Sequence, residues 1–419
     1  MNIPLNGTLF WTVVHGTCSI DPMHISDSRT QVAIIGAGPA GLTLSHLLAA
    51  RGIDSVVVET RERDEIEGTI RAGILEQGTV DLLTSAGFDT RVLTEGARHE
   101  GVQLRFDGRG HRIDFTDLVG RSVWLYPQHE VLKDLIRTRV AENGRLHFGV
   151  SDVALDKIAT TAPEVHFTDR NGNRTRLRCD AVAGCDGSSG VSRNAFPADT
   201  AQDHFRTYPF GWFGILAEAP PSAPELIYTH SKRGFALISS RTPTVQRMYF
   251  QCDPHEDPAD WSDTRIWDEL QTRVAGEDGF SLQEGRIFQR GVIPMRSYVR
   301  TPMRHGRLLL AGDAAHTVPP TGAKGLNLAM SDVQVLAHTL EDFFATGEET
   351  RLDTYGPTAL RRVWRAQHFS YWMTSMLHTD PGAGAFGLQR QRGELDSITS
   401  SRAGSTYLAE AYTGWPLSP

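Results

Sequence analysis

The chain has 419 residues, 22% of them charged, and a formal net charge of −8. That length suits two or three domains, because a single core stops growing at about 250–300 residues. The acidic balance argues against a broad nucleic-acid surface. Four scattered cysteines, Cys18, Cys179, Cys185 and Cys252, form no C-x-x-C pair and read as reduced thiols, with no metal site. No apolar run approaches the roughly 18 residues of a membrane span, and no basic residue precedes the mildly apolar "GTLFWTVVHGTCSI". The expectation is a cytoplasmic protein without a signal peptide.

In chain order, residues 1–29 read as an extension without an assigned role. "VAII" (32–35) is a short apolar run that suits a strand buried on both faces. Leu44, Leu47 and Leu48 then share one helical face, and Gly52 is placed to end that helix in a left-handed conformation. Between them Gly36, Gly38 and Gly41 fit G-x-G-x-x-G. Gly36 permits the tight turn, Gly38 lets a pyrophosphate approach the backbone, and Gly41 lets helix and strand pack closely. "SVVVE" follows as a second strand. It ends at Glu59, about 20 residues beyond the glycines, where an acid grips an adenosine ribose. Strand, glycines, helix, strand and acid in this order predict a site for an ADP-containing dinucleotide.

Further along, "RLRCDAVAGCDGSSGVSR" (176–193) predicts a strand, then Asp186-Gly187, then a helix starting near Ser192. Residues 205–296, rich in aromatic and β-branched types broken by Pro and Gly, predict an antiparallel sheet. "GRLLLAGDAAHTVPPTGAKGLNLAMSDVQVLAHTLEDFF" (306–344) gives a strand, Gly312-Asp313, a proline-glycine loop and a long amphipathic helix. Asp313 can accept hydrogen bonds from a sugar-like hydroxyl, and the "GAKGLN" turn presents free N–H groups at a helix start. The stretch 351–396 is helical in pattern. The expected architecture is α/β: a Rossmann-like dinucleotide domain over 30–204 continued by 297–350, an inserted antiparallel β domain over 205–296, and a helical region over 351–419.

These stretches together with "IRAGILEQGTVDLL", "HEGV", "YPFGW", "ELIY", "RGFAL", "DWSD", "WMTS" and "AYTGWP" resemble the single-component FAD-dependent aromatic hydroxylases from about residue 30 to the C-terminus. The resemblance implies FAD as cofactor, NADH or NADPH as reductant, and dioxygen and a small aromatic acid as partners in the reaction. A 4-hydroxylated or 4-amino benzoate is the implied substrate class. It also implies that Tyr228 contacts the substrate phenol, that Tyr412 stands behind it, that His99 links the chain to solvent, and that the Pro320 carbonyl lies over the reacting carbon. Successive tyrosine hydroxyls can relay a proton. Ser239 and Arg241, at i and i+2 on a strand, point to one face. With Tyr249 they form the implied carboxylate clamp. Arg71, Gln128, Asp313, Leu326 and Asn327 are implied FAD contacts, and Arg71 and Arg296 are implied to hold the nicotinamide.

The chain departs from the family pattern on the nicotinamide side, with Thr69 where an Arg is common, "DGSSG" (186–190) for "DGFHG", and Asp64 and Glu65 after the ribose acid. These changes leave the choice of dinucleotide open. A flavoprotein that senses an aromatic acid without oxygenating it is the competing class. A homodimer is one assembly the sequence allows.

Overall fold

The computed structural model describes residues 25–70, 73–88, 91–380 and 382–416. Val32–Ile35 lies near the middle of a six-stranded sheet, buried along its whole length. The sheet order is Arg304–His305, Leu308–Leu310, Ala181–Gly184, Val32–Ile35, Ser55–Val58, Arg145–His147. All neighbours run parallel except the Arg304–His305 edge. An apolar run without alternation is what burial on both faces selects. The helix Pro39–Ala49 leaves this sheet directly, with Gly38 at its N-cap and Pro39 in its first turn. Gly52, at φ +70°, lets the chain double back so that Ile53 N–H donates to Leu48 O at 3.0 Å. The Gly325–Thr346 helix packs on the Pro39–Ala49 helix, where Thr43 Oγ1 donates to the Met330 sulfur at 3.3 Å.

A second sheet has eight strands in the order His316–Thr317, Arg286–Thr301, Gln202–Glu218, Val245–Cys252, Ala236–Thr242, Ile227–Thr229, Gly101–Phe106, Arg109–Asp114. It is antiparallel apart from the parallel pairing of Ile227–Thr229 with Gly101–Phe106. The sequence boundaries at 205 and 296 cut through its two longest strands. Two further strands come from 101–114, well inside the span read as the dinucleotide domain. Their hairpin was readable, since Asp107 and Gly108 turn it at φ +50° and +73°. Their partner strand lies more than a hundred residues away, and no local pattern reveals it. A helix, Asp263–Val274, also interrupts the region expected to be all β. Ser262 caps it by accepting from Arg265 N–H at 3.2 Å, and Ile266, Trp267, Leu270 and Val274 fill one buried stripe.

The extension read over 1–29 also needs correction at its end. Ile25–Arg29 is a strand, paired parallel with Arg174–Arg178 in a four-stranded sheet. It is mostly exposed, and Asp27 holds Arg176 through two bonds of 2.7 and 2.8 Å. With no apolar alternation it carries no strand signal. Residues 1–24 lie outside the described residues. The helices Tyr355–Leu377, Gly384–Ser400 and Arg402–Thr413 close the chain. They pack on one face of the eight-stranded sheet around Tyr228, Tyr249, Phe369 and Tyr412.

Candidate active site

At the carboxyl ends of the parallel strands a cavity of about 670 Å³ opens, large enough for a dinucleotide portion. Gly36, Gly38, Glu59, Gln128, Asp313 and Leu326 all line it. Gly36 sits at φ +103°, and a Cβ there would lie 2.5 Å from Cys185 O. At Gly38 a Cβ would meet nothing within 4 Å, so its bare face is open to a ligand rather than to the protein. Gly41 lies beneath the cavity, where a Cβ would fall 1.9 Å from Gly36 O. These are the turn, the approach and the close packing that the spacing predicts. Glu59 is buried and held by Ala37 N–H at 2.8 Å and Arg61 N–H at 2.9 Å. Its fixed carboxylate faces the same opening.

Two residues of the cavity were not singled out as contacts from sequence. Asp186 lines it with Oδ1 buried and unpartnered, while Oδ2 accepts from Ser192 N–H at 2.8 Å. Burial raises its pKa. The "CDG" signal was visible, but its use was not. Ser188 lines the cavity as well and accepts from Arg296 Nη2 at 3.2 Å, which places exposed Arg296 at the rim. Arg71 lies outside the described residues. The Asn327 side chain is committed within the protein. Its Oδ1 accepts from Glu76 N–H and Thr79 Oγ1, and its Nδ2 donates to Ile74 O and Ala323 O, at 2.8–2.9 Å. Four bonds use the whole amide, so only the backbone N–H of Asn327 can face a ligand.

The cradle fits FAD on these grounds: a bare glycine at the anion approach, an uncapped helix start, a fixed acid and an orphaned carboxylate oxygen. The Gly325–Thr346 helix likewise begins with no side-chain cap, leaving the N–H groups of Leu326 and Asn327 to stabilise negative charge on a bound ring.

On the eight-stranded sheet, strand register gathers the other group. Tyr228 pairs with Leu237, and Leu237 with Tyr249. Side chains alternate along a strand, so Ser239 shares the face of Leu237, Tyr228 and Tyr249. The pairing shifts register between Ser240 and Thr242, and Arg241, at that irregularity, interacts with Tyr249. Gly214 pairs with Tyr249 and makes room for its ring, since a Cβ there would stand 2.7 Å from the ring. The Arg241 Nε is buried without a hydrogen-bond partner, and among the described residues no carboxylate pairs with its guanidinium. Burial pulls its pKa down to about 10, against an opposing contribution from Tyr249. A desolvated cation without an anion is a carboxylate site in waiting. Ser239 is committed as a donor, giving its Oγ–H to Arg247 O at 2.9 Å.

Tyr412 descends onto this face from the Arg402–Thr413 helix, and its hydroxyl lies 2.7 Å from that of Tyr228. Both are 1% exposed. Burial raises the pKa of each, so both stay protonated near neutral pH. His99 is buried with Nδ1 unpartnered and its pKa lowered by burial. It bonds to neither tyrosine directly. Pro320 is exposed at the loop before the long helix, and its carbonyl accepts from Ala323 N–H at 3.0 Å.

Sequence reasoning missed a buried ionic group beside the pair. Lys324, 2% exposed, donates to Glu76 Oε1 at 2.6 Å and to Tyr412 O at 3.0 Å. Arg362 holds the other Glu76 oxygen at 3.1 Å. This network pins the backbone of Tyr412, and with it the tyrosine pair.

The FAD binding domain family matches residues 29–370. The p-hydroxybenzoate hydroxylase of Acinetobacter baylyi is 44% identical over 389 residues, which are 93% of this chain and 96% of that protein. The anhydrotetracycline monooxygenase of Streptomyces rimosus is 29% identical over 78% of this chain and 66% of its own length. Among solved structures, p-nitrophenol 4-monooxygenase from Pseudomonas putida shares the fold at TM-score 0.77 and 19% identity, covering 94% of this chain and 100% of that one. No helix among the described residues is long and apolar enough to cross a membrane.

Proposed function

The chain belongs to the FAD-dependent aromatic hydroxylases, and from that premise we propose that it converts 4-hydroxybenzoate to 3,4-dihydroxybenzoate, consuming dioxygen and a nicotinamide reductant. The observation that carries this reading is a half-buried cation with no anion among the described residues, Arg241, beside Tyr249, together with a bonded tyrosine pair, Tyr228 and Tyr412. The first suits a carboxylate and the second suits a phenol. FAD, when bound, takes a hydride from the nicotinamide and, once reduced, activates dioxygen so that one oxygen atom enters the ring beside the hydroxyl and the other leaves as water.

The protein's own part is to orient and to move a proton. Arg241 holds the substrate carboxylate through charge-assisted bonds, with Tyr249 and Ser239 beside it. Ser239 contributes once its hydroxyl turns from Arg247 O. Tyr228 accepts the phenol proton as it hands its own to Tyr412, which in turn releases its own onward, so the ring becomes a better nucleophile without either tyrosine being charged. His99 is the proposed exit of that path, and the Pro320 carbonyl the group over the reacting carbon. Gly36, Gly38, Glu59, Gln128, Asp313, Leu326 and the Asn327 backbone hold FAD, while Arg296 at the rim meets the nicotinamide. A flavoprotein that only sensed an aromatic acid would use Arg241 but not the tyrosine pair.

The test is dioxygen consumption by the FAD-loaded enzyme with NADH, with and without 4-hydroxybenzoate, followed by chromatography of products. Stimulated consumption with 3,4-dihydroxybenzoate as product is expected, and 4-aminobenzoate serves as the competing substrate. Substrate binding without any hydroxylated product would leave the sensor reading standing instead.

A further inference from the structure

A second polar cavity lies where the strand of Tyr228 ends, between helices packed on the two faces of the eight-stranded sheet. Thr229, the next residue on the strand, points away from Tyr228. It pairs with Arg105 on the parallel neighbour, and His230 N–H donates to Arg105 O at 2.8 Å. A cavity of about 180 Å³ opens there, bounded by the end of the Asp263–Val274 helix and by the Gly384–Ser400 helix. None of its lining residues lines the flavin cavity.

Two of its walls are polar, buried and unused. Thr229 is 1% and His230 5% exposed, and Thr229 Oγ1 and His230 Nε2 have no hydrogen-bond partner. Orphaned polar atoms at such burial cost stability unless something fills the space. The His230 Nδ1 lies 3.1 Å from Leu377 O, so Nδ1 carries the proton and the neutral ring offers Nε2 as an acceptor. Thr229 offers a donor.

Four cations, Arg105, Lys232, Arg273 and Arg392, and one acid, Asp107, line this cavity. Lys232 is exposed and has no acidic partner among the described residues. Arg273 spends Nε on Glu269 and Nη1 on Phe235 O, both at 2.7 Å. Arg392 binds Asp107 Oδ2 through Nε and Nη2 at 3.0 and 2.8 Å. Each arginine keeps a further N–H group uncommitted. Arg105 is already satisfied, bidentate to Asp278 at 2.6 and 2.7 Å and capping Val274 O at the helix end.

We propose that this cavity binds a small oxyanion that also carries a hydroxyl, with hydrogen phosphate as the simplest member of the class. The cations and the Thr229 hydroxyl receive the anionic oxygens, and the ligand's own O–H donates to His230 Nε2. Sulfate matches the charge and shape but has no proton to give near neutral pH.

Calorimetric titration of the FAD-loaded enzyme with inorganic phosphate, in a buffer free of oxyanions, tests this. One saturable site is expected, weakened about tenfold by Lys232→Gln and by Thr229→Val, as for a lost bond to a charged partner. Arg296→Ala, at the rim of the flavin cavity, should leave that site unchanged. Sulfate should bind at least about tenfold more weakly. Absence of a saturable site, or equal affinity in the wild type and Lys232→Gln, overturns the proposal. Lys232→Gln alters only an exposed side chain, so it remains informative if Thr229→Val fails to fold. Sulfate binding as tight as phosphate overturns the acceptor role of His230.

Discussion

The flavin cradle and the aromatic-acid face are held by different parts of the polypeptide. At the cradle the main chain does the holding. Gly36 turns it and Gly38 leaves an open approach, while Gly41 lets two backbones touch, so the essential property is a missing side chain. On the sheet face the main chain supplies only register, and the groups presented are the side chains of Tyr228, Arg241, Tyr249 and Tyr412. At Gly36 and Gly41 the cradle has no room for an added atom, whereas a face made of side chains can be altered one atom at a time.

The largest expected effects therefore fall on single oxygen atoms of the face. Tyr228→Phe or Tyr412→Phe removes one hydroxyl from the 2.7 Å pair and should slow hydroxylation by about 10²–10⁴-fold, the usual contribution of a positioned proton-transfer group. Affinity for 4-hydroxybenzoate should change little, because the relay acts on the barrier rather than on binding. The ratio of 3,4-dihydroxybenzoate formed to dioxygen consumed is the readout. Full coupling at the wild-type rate in both variants would make the tyrosines mere packing and erase the contrast between face and cradle.

Next comes Arg241→Ala, which should weaken 4-hydroxybenzoate binding by about 2–5 kcal/mol, since the substrate carboxylate loses its buried partner. The substrate-free enzyme should melt no lower than wild type, because the side chain removed is a half-buried cation whose buried Nε has no partner and which has no anion to satisfy it. Flavin absorbance titration reads the first and a thermal melt the second. Unchanged affinity would move the clamp elsewhere on the sheet.

Gly41→Val carries the comparison to the cradle. Its side chain would collide with Gly36 O, and overpacking of this kind costs about 1–3 kcal/mol. Both apoprotein stability and FAD retention should fall. Gly38→Ala should separate the two effects. Its φ of −76° suits alanine and its Cβ meets no protein atom, so the apoprotein should melt as wild type while FAD binds more weakly. Equal FAD affinity in Gly38→Ala would mean that the ligand does not approach this backbone.

This division also explains what could be read in advance. The cradle was legible because its turn, approach and packing follow one another within a few residues, from Gly36 to Gly41. The tyrosine pair spans 184 positions and was reached only through family resemblance. So was the clamp, though the i, i+2 spacing of Ser239 and Arg241 was local. The commitment of the Asn327 amide to Ile74, Glu76, Thr79 and Ala323 could not be seen, since three of those partners lie some 250 positions upstream. Nor could the Lys324–Glu76 pair. Two other features were local and were passed over. These are the Asp107-Gly108 turn of the hairpin that joins the large sheet, and the Ser262 cap of the helix inside the β region.

The smallest expected effect concerns the choice of reductant. The ribose acid Glu59 is followed by a short helix, Arg63–Gly68, whose first turn carries exposed Asp64 and Glu65. Two arginines could offset them, but Arg63 Nε is bonded to Glu67 at 2.6 Å and Arg61 Nε lies 3.4 Å from Glu59. A 2′-phosphate brings roughly two negative charges near neutral pH, as phosphate monoesters do. It would meet net acidity here, and exposed charges of this kind shift affinity only modestly. NADH lacks that group. NADH should therefore serve at least as well as NADPH, and Asp64→Arg combined with Glu65→Arg should shift the kcat/KM ratio toward NADPH by several-fold. Initial rates with each dinucleotide at saturating 4-hydroxybenzoate decide it. An NADPH preference of tenfold or more in the wild type, about 1.4 kcal/mol, would mean that Arg61 and Arg63 leave their acids and turn to the phosphate.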